Sequence, residues 1–296
     1  MDLRTYLEDR NRLVDKALDR WLPEDDIEPE IIHQAMRYSV FAGGKRLRPV
    51  LAIAAAEAVG GRIEQVLPAA CALELIHTYS LIHDDLPAMD DDDFRRGRPS
   101  NHKMFGEAIA ILAGDALLTY AFELLVSESQ KAGVEPAKVN AVIKEISWAA
   151  GNSGMIGGQV LDLKAEGQKV DLAGLENIHR RKTGALLRAA VRAGAILSEA
   201  SSKQLDDLTG YAEALGLAFQ IKDDILDIEG DSAKLGKPVG SDLAKDKSTY
   251  PSILGLDQSK ALLNEQVEKA LQMVERFAGK GKILSDLAVF VRDRES

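Results

Sequence analysis

The sequence predicts an all-α fold, one helical domain over residues 1–296, and three observations carry that reading. Only nine prolines interrupt the chain, so few positions force a helix to stop. Long segments rich in Ala, Leu, Glu, Lys and Arg place apolar residues at the i, i+3, i+4 spacing of a helix face. No stretch alternates with the period of two that a half-buried strand shows. In chain order the periodicity predicts helices over 3–21, 29–42, 47–59, 63–85, 107–129, 136–153, 175–197, 203–227 and 258–277. Pro49 suits the first turn of the third, where its missing N–H costs no hydrogen bond. Pro87 disfavours helical geometry at Leu86 and closes the fourth. The fifth contains the most membrane-like stretch, 108–126, yet Asp115 and Glu123 lie inside a length that barely spans a bilayer. Such carboxylates are costly in lipid, so this is a buried helix of a soluble protein, with Asp115 structural beside a buried partner. Residues 107–126 and 185–196 are apolar around most of their circumference, which predicts the centre of a large bundle or a subunit interface. Two long polar interruptions, 86–106 and 229–250, separate these helices.

Composition removes several function classes. The formal net charge is −10, which argues against a nucleic-acid partner, since that affinity comes from basic residues on phosphates. The single cysteine, Cys71, excludes an intramolecular disulfide and a Cys-rich zinc site and reads as core packing. No apolar segment follows a basic N-terminus, so the expected location is the cytoplasm.

The strongest local feature is the run Asp84-Asp85-Leu86-Pro87-Ala88-Met89-Asp90-Asp91-Asp92-Asp93, six aspartates within ten residues. Such a run is ordinarily a solvated loop. Here, however, Asp84 and Asp85 close an apolar helix. The break at Pro87 lets the chain double back, so that Asp84 and Asp90 need not sit on different helix faces. A second set, Asp223, Asp224 and Asp227, lies in an apolar helical setting, with Asp223 and Asp227 four apart on one face. Like charges at that spacing call for a cation between them. Oxygen-only donors without His or Cys partners point to Mg²⁺ or Mn²⁺ rather than zinc, and Mg²⁺ so held points to a polyphosphate ligand.

Basic residues supply the complement. The turn Gly43-Gly44-Lys45-Arg46-Leu47-Arg48 offers cations at a helix start, where a phosphate is welcome, although a basic turn by itself also reads as surface solubility. Arg95 and Arg96 are either charge compensation for the acidic run or an anion clamp, and Lys182, Lys237 and Lys247 admit the same two readings. Together they fit one arrangement, in which metal ions and cations stabilise a departing diphosphate. No Ser/His/Asp triad, phosphate-binding P-loop or dinucleotide fingerprint competes.

With these motifs in hand the sequence resembles the trans-prenyltransferases, and among them the bacterial farnesyl diphosphate synthases. The segments that carry the likeness are GGKRLRP at 43–49, LIHDDLPAMDDDDFRRGRPSNH at 81–102, GDALL at 114–118, GMIGGQVLDL at 154–163, KTGAL at 182–186, FQIKDDILD at 219–227 and LGKPVGSD at 235–242. The resemblance implies a helical bundle of the isoprenoid-synthase type around a deep central cavity, usually a homodimer. It implies Asp84, Asp85, Asp90, Asp223, Asp224 and Asp227 as ligands of three Mg²⁺ ions. Arg95, Lys182, Thr183, Gln220, Lys237 and Lys247 would form the allylic diphosphate site, and Gly44, Lys45, Arg48, His77 and Arg96 that of isopentenyl diphosphate. Thr183 and Gln220 would line the reacting carbocation. Asp84, Asp90, Lys182, Thr183 and Gln220 are the residues expected to carry the catalysis. The implied reaction is 1'-4 condensation by ionisation, attack of the isopentenyl double bond and proton loss, with the diphosphate taking the proton.

Chain length is expected from Tyr79 and its neighbour Ser80. Tyr79 lies five residues before Asp84, about 7–8 Å deeper on a helix, where a ring would block a growing chain. Core packing is the competing role. In the family an aromatic residue there resembles enzymes that stop at C15, which favours farnesyl diphosphate, with geranylgeranyl diphosphate as the alternative. A non-catalytic subunit of a heteromeric synthase is a further alternative, though such subunits tend to lose one aspartate set. His83 and His102 either orient carboxylates or are structural, Gln159 and Asp162 reach the metal site through water by resemblance, and the charged tail 291–296 is expected to be mobile.

Overall fold

A computed structural model describes residues 2–230 and 247–295 of the chain. Its elements are α1 (Leu3–Trp21), α2 (Glu30–Val40), α3 (Leu47–Val59), α4 (Ile63–Asp84), β1 (Phe94–Arg95), β2 (Arg98–Pro99), α5 (Asn101–Phe105), α6 (Glu107–Lys131), α7 (Pro136–Ala150), α8 (Met155–Ala165) and α9 (Leu172–His179). A π-helical turn (Arg180–Gly184) leads into α10 (Ala185–Leu197), followed by α11 (Ser202–Glu229), α12 (Tyr250–Leu254), α13 (Leu256–Val274) and α14 (Lys282–Asp293). The all-α class is borne out, and the two-residue hairpin β1–β2 is the only sheet among the described residues.

Local chemistry explains the boundaries. Asp2 caps α1 by accepting from the Thr5 amide at 2.9 Å, and Ser201 with Gln204 forms a reciprocal capping box on α11, each satisfying donors that a helix start leaves open. The sequence missed α8 and α14. Glycines 154, 157 and 158 thin out the apolar pattern of α8, while α14 follows a kink at Ala278 (φ 49°) that breaks continuity with α13.

The two helices predicted to be apolar all round take different places. α10 is buried on nearly every side and packs against α3, α4, α7 and α11. α6 packs on α4 and α2 but leaves Ile111, Leu112 and Val126 exposed. Asp115 lies on this outer surface. That corrects the expected buried partner, because an apolar pattern without a clear stripe does not say which face a helix hides. Among the described residues two helices, α4 and α6, are long and apolar enough to cross a membrane, and the apolar window of α4 is mostly buried inside the bundle.

Candidate active site

α4 delivers Asp84 as its last residue and Asp85 as its cap. Beyond Pro87 the chain doubles back as predicted. The Asp90 amide donates to the Asp84 carbonyl at 2.9 Å and the Asp91 amide to that of Leu86 at 3.2 Å. Burial pushes the Asp84 carboxyl up to about 6, with Asp90 and Asp85 adding to the shift and Lys182 and Arg95 opposing it. Asp85 is buried and accepts from Arg95 Nε at 2.8 Å. Burial raises its carboxyl nonetheless.

The hairpin sends two adjacent arginines in opposite directions. Its two-residue turn is Arg96-Gly97, both at positive φ (53° and 74°), the geometry that matches the twist of paired strands. Arg95 therefore folds back on Asp85. Arg96 reaches the other way, donating to the Gly43 carbonyl and lying over Gly44, where an added Cβ would sit 2.6 Å from its guanidinium carbon.

The second aspartate set lies on α11. Asp223 Oδ1 pairs with Arg294 Nη2 at 2.5 Å, and Oδ2 accepts from Gln220 Nε2 at 3.3 Å. Gln220 in turn accepts from the Thr183 hydroxyl. Asp224 accepts from the Tyr250 amide at 2.8 Å, anchoring α12 to α11. Asp227 is buried. The tail does not lie loose as expected. Arg294 is buried, stacks over the Phe219 ring at 4.2 Å and donates to the Phe219 carbonyl at 3.1 Å. An aromatic face and a carboxylate one helical turn apart hold this cation.

Two glycines bring the π-helical turn into the site. A Cβ at Gly158 of α8 would lie 2.3 Å from the Lys182 amide nitrogen, so only glycine permits that backbone contact. One turn along α8, Asp162 then meets Lys182 Nζ at 2.6 Å and Lys247 Nζ at 3.6 Å. On α11, Gly216 lies against the Gly184 backbone, and one turn on Gln220 meets Thr183. Burial alone would raise the Asp162 carboxyl, but the two lysines outweigh it and hold it below the usual range. Lys237 lies outside the described residues.

All five residues expected at the isopentenyl site, Gly44, Lys45, Arg48, His77 and Arg96, line one cavity of about 390 Å³, together with Glu74, Thr183 and Phe219. Burial lowers Arg48 to about 10, and it holds His77 well below its ordinary range with help from the Arg48 and Arg96 cations. Arg48 Nε is buried with no hydrogen-bond partner, a donor left for an anion.

Tyr79 is 5% exposed, packs edge-on to His83 at 5.7 Å and has a buried, unpartnered hydroxyl. Ser80 spends its hydroxyl on the His77 carbonyl at 2.9 Å. His83 contacts the Ile111 carbonyl at 3.0 Å and is a tie between α4 and α6. Cys71 is core. A group the sequence reading missed is Asp91, Asp93 and His102, whose ligand atoms lie within 4.8 Å of one another. A histidine soon after an acidic run was the available signal. The donors around Asp84 and Asp90 are carboxylate oxygens under mutual repulsion, which suits a hard divalent cation.

Comparison with known proteins agrees with this chemistry. A family model for polyprenyl synthetase matches residues 29–284. The chain is 51% identical over 262 residues to the large subunit 1 of a heterodimeric geranylgeranyl pyrophosphate synthase of Arabidopsis thaliana, covering 88% of this chain and 70% of that one. It is 45% identical to farnesyl diphosphate synthase of Geobacillus stearothermophilus, over 100% of this chain and 99% of the relative. Among solved structures, an FPP/GFPP synthase from Zymomonas mobilis superposes with a TM-score of 0.87 at 36% identity, covering 98% of each chain. With both aspartate sets, the π-helical turn and the cation-lined cavity in place, the chain belongs to the polyprenyl synthetase family of trans-prenyltransferases.

Proposed function

We propose that the protein is a Mg²⁺-dependent synthase that joins isopentenyl diphosphate to dimethylallyl or geranyl diphosphate and stops at (E,E)-farnesyl diphosphate. The observation that carries this reading is the cavity holding Lys45, Arg48, His77 and Arg96, which shares Thr183 and Phe219 with the surroundings of the aspartate sets. Two anionic substrates need two cationic pockets that meet at the reacting carbons.

Arg95, Lys182 and Lys247, with Lys237, bind the allylic diphosphate. Asp84, Asp85 and Asp90 on one side and Asp223, Asp224 and Asp227 on the other would hold the three Mg²⁺ ions, whose charge would stabilise the leaving diphosphate. The C1–O bond of the allylic ester breaks, the isopentenyl double bond attacks C1, and a proton leaves to the departed diphosphate. Thr183 and Gln220 turn oxygen atoms toward the developing cation, and their mutual hydrogen bond fixes that orientation. No protein base is required.

Tyr79 supports the C15 product, because a buried ring about one and a half helical turns below Asp84 ends the channel available to the chain. Relatives named as geranylgeranyl synthases keep C20 as the second reading. The intact aspartate sets speak against a non-catalytic subunit. The exposed apolar residues of α6 (Ile111, Leu112, Val126) and α8 (Ile156, Val160, Leu163) support a homodimer. The test is incubation of the purified protein with geranyl diphosphate, labelled isopentenyl diphosphate and Mg²⁺, followed by chromatography of dephosphorylated products. A C15 alcohol is expected. A C20 alcohol moves the product assignment, and no Mg²⁺-dependent product overturns the synthase reading.

A further inference from the structure

Within Gly43-Gly44-Lys45-Arg46-Leu47-Arg48, the family-matched roles fall on Gly44, Lys45 and Arg48, and Arg46 has none. The backbone singles it out. Gly43 (φ 90°), Gly44 (φ 131°) and Arg46 (φ 48°) all take positive φ, and Arg46, as the N-cap of α3, does so without glycine's freedom and without a side-chain cap bond. A residue persists there only when its surroundings hold it.

Its side chain shows what holds it. Arg46 is 4% exposed, and its guanidinium meets three elements at once. Nε donates to Asp15 of α1 at 2.9 Å, Nη1 to Glu74 of α4 at 2.8 Å, and Nη2 to the Val40 carbonyl at the end of α2 at 2.6 Å. The planar fork of an arginine presents donors from three separate nitrogens in fixed directions, whereas a lysine offers its three donors from a single nitrogen. The turn is thereby fastened on both sides of the residue, with Lys45 immediately before it and Arg48 two positions after.

Glu74 has a second bearing on the site. It is 2% exposed and, among the described residues, is the one carboxylate that lines the cavity of Lys45, Arg48, His77 and Arg96. Its charge acts on Arg48, yet its hydrogen bond goes to Arg46. A buried carboxylate must find a cation. Besides Arg46, its charge acts on Arg48 and Arg96, the arginines that line the cavity with it.

We propose that Arg46, seated between Asp15 and Glu74, is a positioning residue for the isopentenyl diphosphate pocket: it sets the Gly43–Arg48 turn and keeps Glu74 from competing for Arg48. This rests on the reading of that cavity given above.

The test is steady-state kinetics of the full-length protein with Mg²⁺, varying geranyl diphosphate and isopentenyl diphosphate in turn, with thermal midpoints measured alongside. Arg46→Lys keeps the charge but not the fork. It is expected to raise the KM for isopentenyl diphosphate about tenfold, with kcat and the allylic KM within about twofold of wild type. Asp15→Asn weakens one hold on Arg46 and leaves the Glu74 charge in place, so a smaller rise in the same KM is expected; it carries the test if Arg46→Lys does not fold. An unchanged isopentenyl KM in the folded variants overturns the proposal. Equal losses for both substrates with a lowered thermal midpoint also overturn it, because that is the signature of a purely structural residue. Arg48→Ala separates this from the cavity's assignment. If Arg48→Ala leaves the isopentenyl KM unchanged, the cavity is not the isopentenyl site and both ideas fall. If it raises that KM while the Arg46 and Asp15 variants do not, only the positioning role falls.

Discussion

The cavity at the Gly43–Arg48 turn is lined by the cations Lys45, Arg46, Arg48 and Arg96 and, among the described residues, by one carboxylate, Glu74, already bonded to Arg46. Around the aspartate sets, site carboxylates and cations are paired with one another: Asp85 with Arg95, Asp162 with Lys182 and Lys247, Asp223 with Arg294. The first region is arranged in advance, its acid engaged from behind. The second keeps its charges satisfied internally, and those pairs must be exchanged when a diphosphate and its cations enter. Pre-arrangement lowers the ordering cost of binding, whereas exchangeable pairs keep buried carboxylates from standing uncompensated in the free protein.

The largest expected effect breaks the second region alone. Asp84→Ala should reduce turnover at saturating Mg²⁺ by about a thousandfold or more, while isopentenyl diphosphate binding measured calorimetrically without metal stays near wild type. Near-normal turnover would remove metal-assisted ionisation from the mechanism. Next, Tyr79→Ala should lengthen the product, read by chromatography of the alcohols; an unchanged C15 product would place the channel floor elsewhere. Lys182→Ala is expected to raise the allylic KM about tenfold and leave the isopentenyl KM in place. A parallel rise in both would show that the two regions are not independent.

A smaller effect probes the exchangeable pairs. Arg294→Ala removes the cation resting on Asp223. The Mg²⁺ concentration for half-maximal activity should then fall about two- to threefold, since one internal competitor is gone. The smallest concerns pH and stability. Burial depresses His77 well below its ordinary range and His179 to about 4, so the unfolded chain binds their protons first as pH falls below about 6.5. Their contribution is complete above that pH and is lost toward 4. Asp84, raised to about 6 from 3.8, binds its proton first in the folded state and works in the opposite direction. Asp85, raised as well, works with Asp84, while Asp162, held low, works with the imidazoles; the two histidine shifts outweigh the raised carboxyls, and the thermal midpoint of the metal-free protein should decline from pH 6.5 to 4. The decline should be shallower in a His179→Phe variant.

The aspartate sets, the basic turn and most helices were legible because each rests on a local pattern: charge density, glycine with cations at a helix start, and apolar spacing. α8 was not, because glycines that look like helix breakers in sequence are contact points in space. Gly158 is small because the Lys182 backbone passes against it. Tail docking escaped for a similar reason: Asp293 and Glu295 dilute the charge of the segment, yet only Arg294 meets the Phe219 ring and Asp223.

By itself the sequence determined the helical class, the doubling back of the chain at Pro87, the carboxylate donors and the cations able to meet a diphosphate. These follow from backbone sterics, periodicity and formal charge, which need no knowledge of neighbours. Only the tertiary structure decided which acids are paired and with what, that consecutive Arg95 and Arg96 serve different regions, and that Arg46 commits its guanidinium to Asp15, Glu74 and the Val40 carbonyl while Arg48 keeps a buried Nε without a partner. Those outcomes depend on distances between elements far apart in sequence, where a few ångströms separate a buried ion pair from a donor left for a ligand.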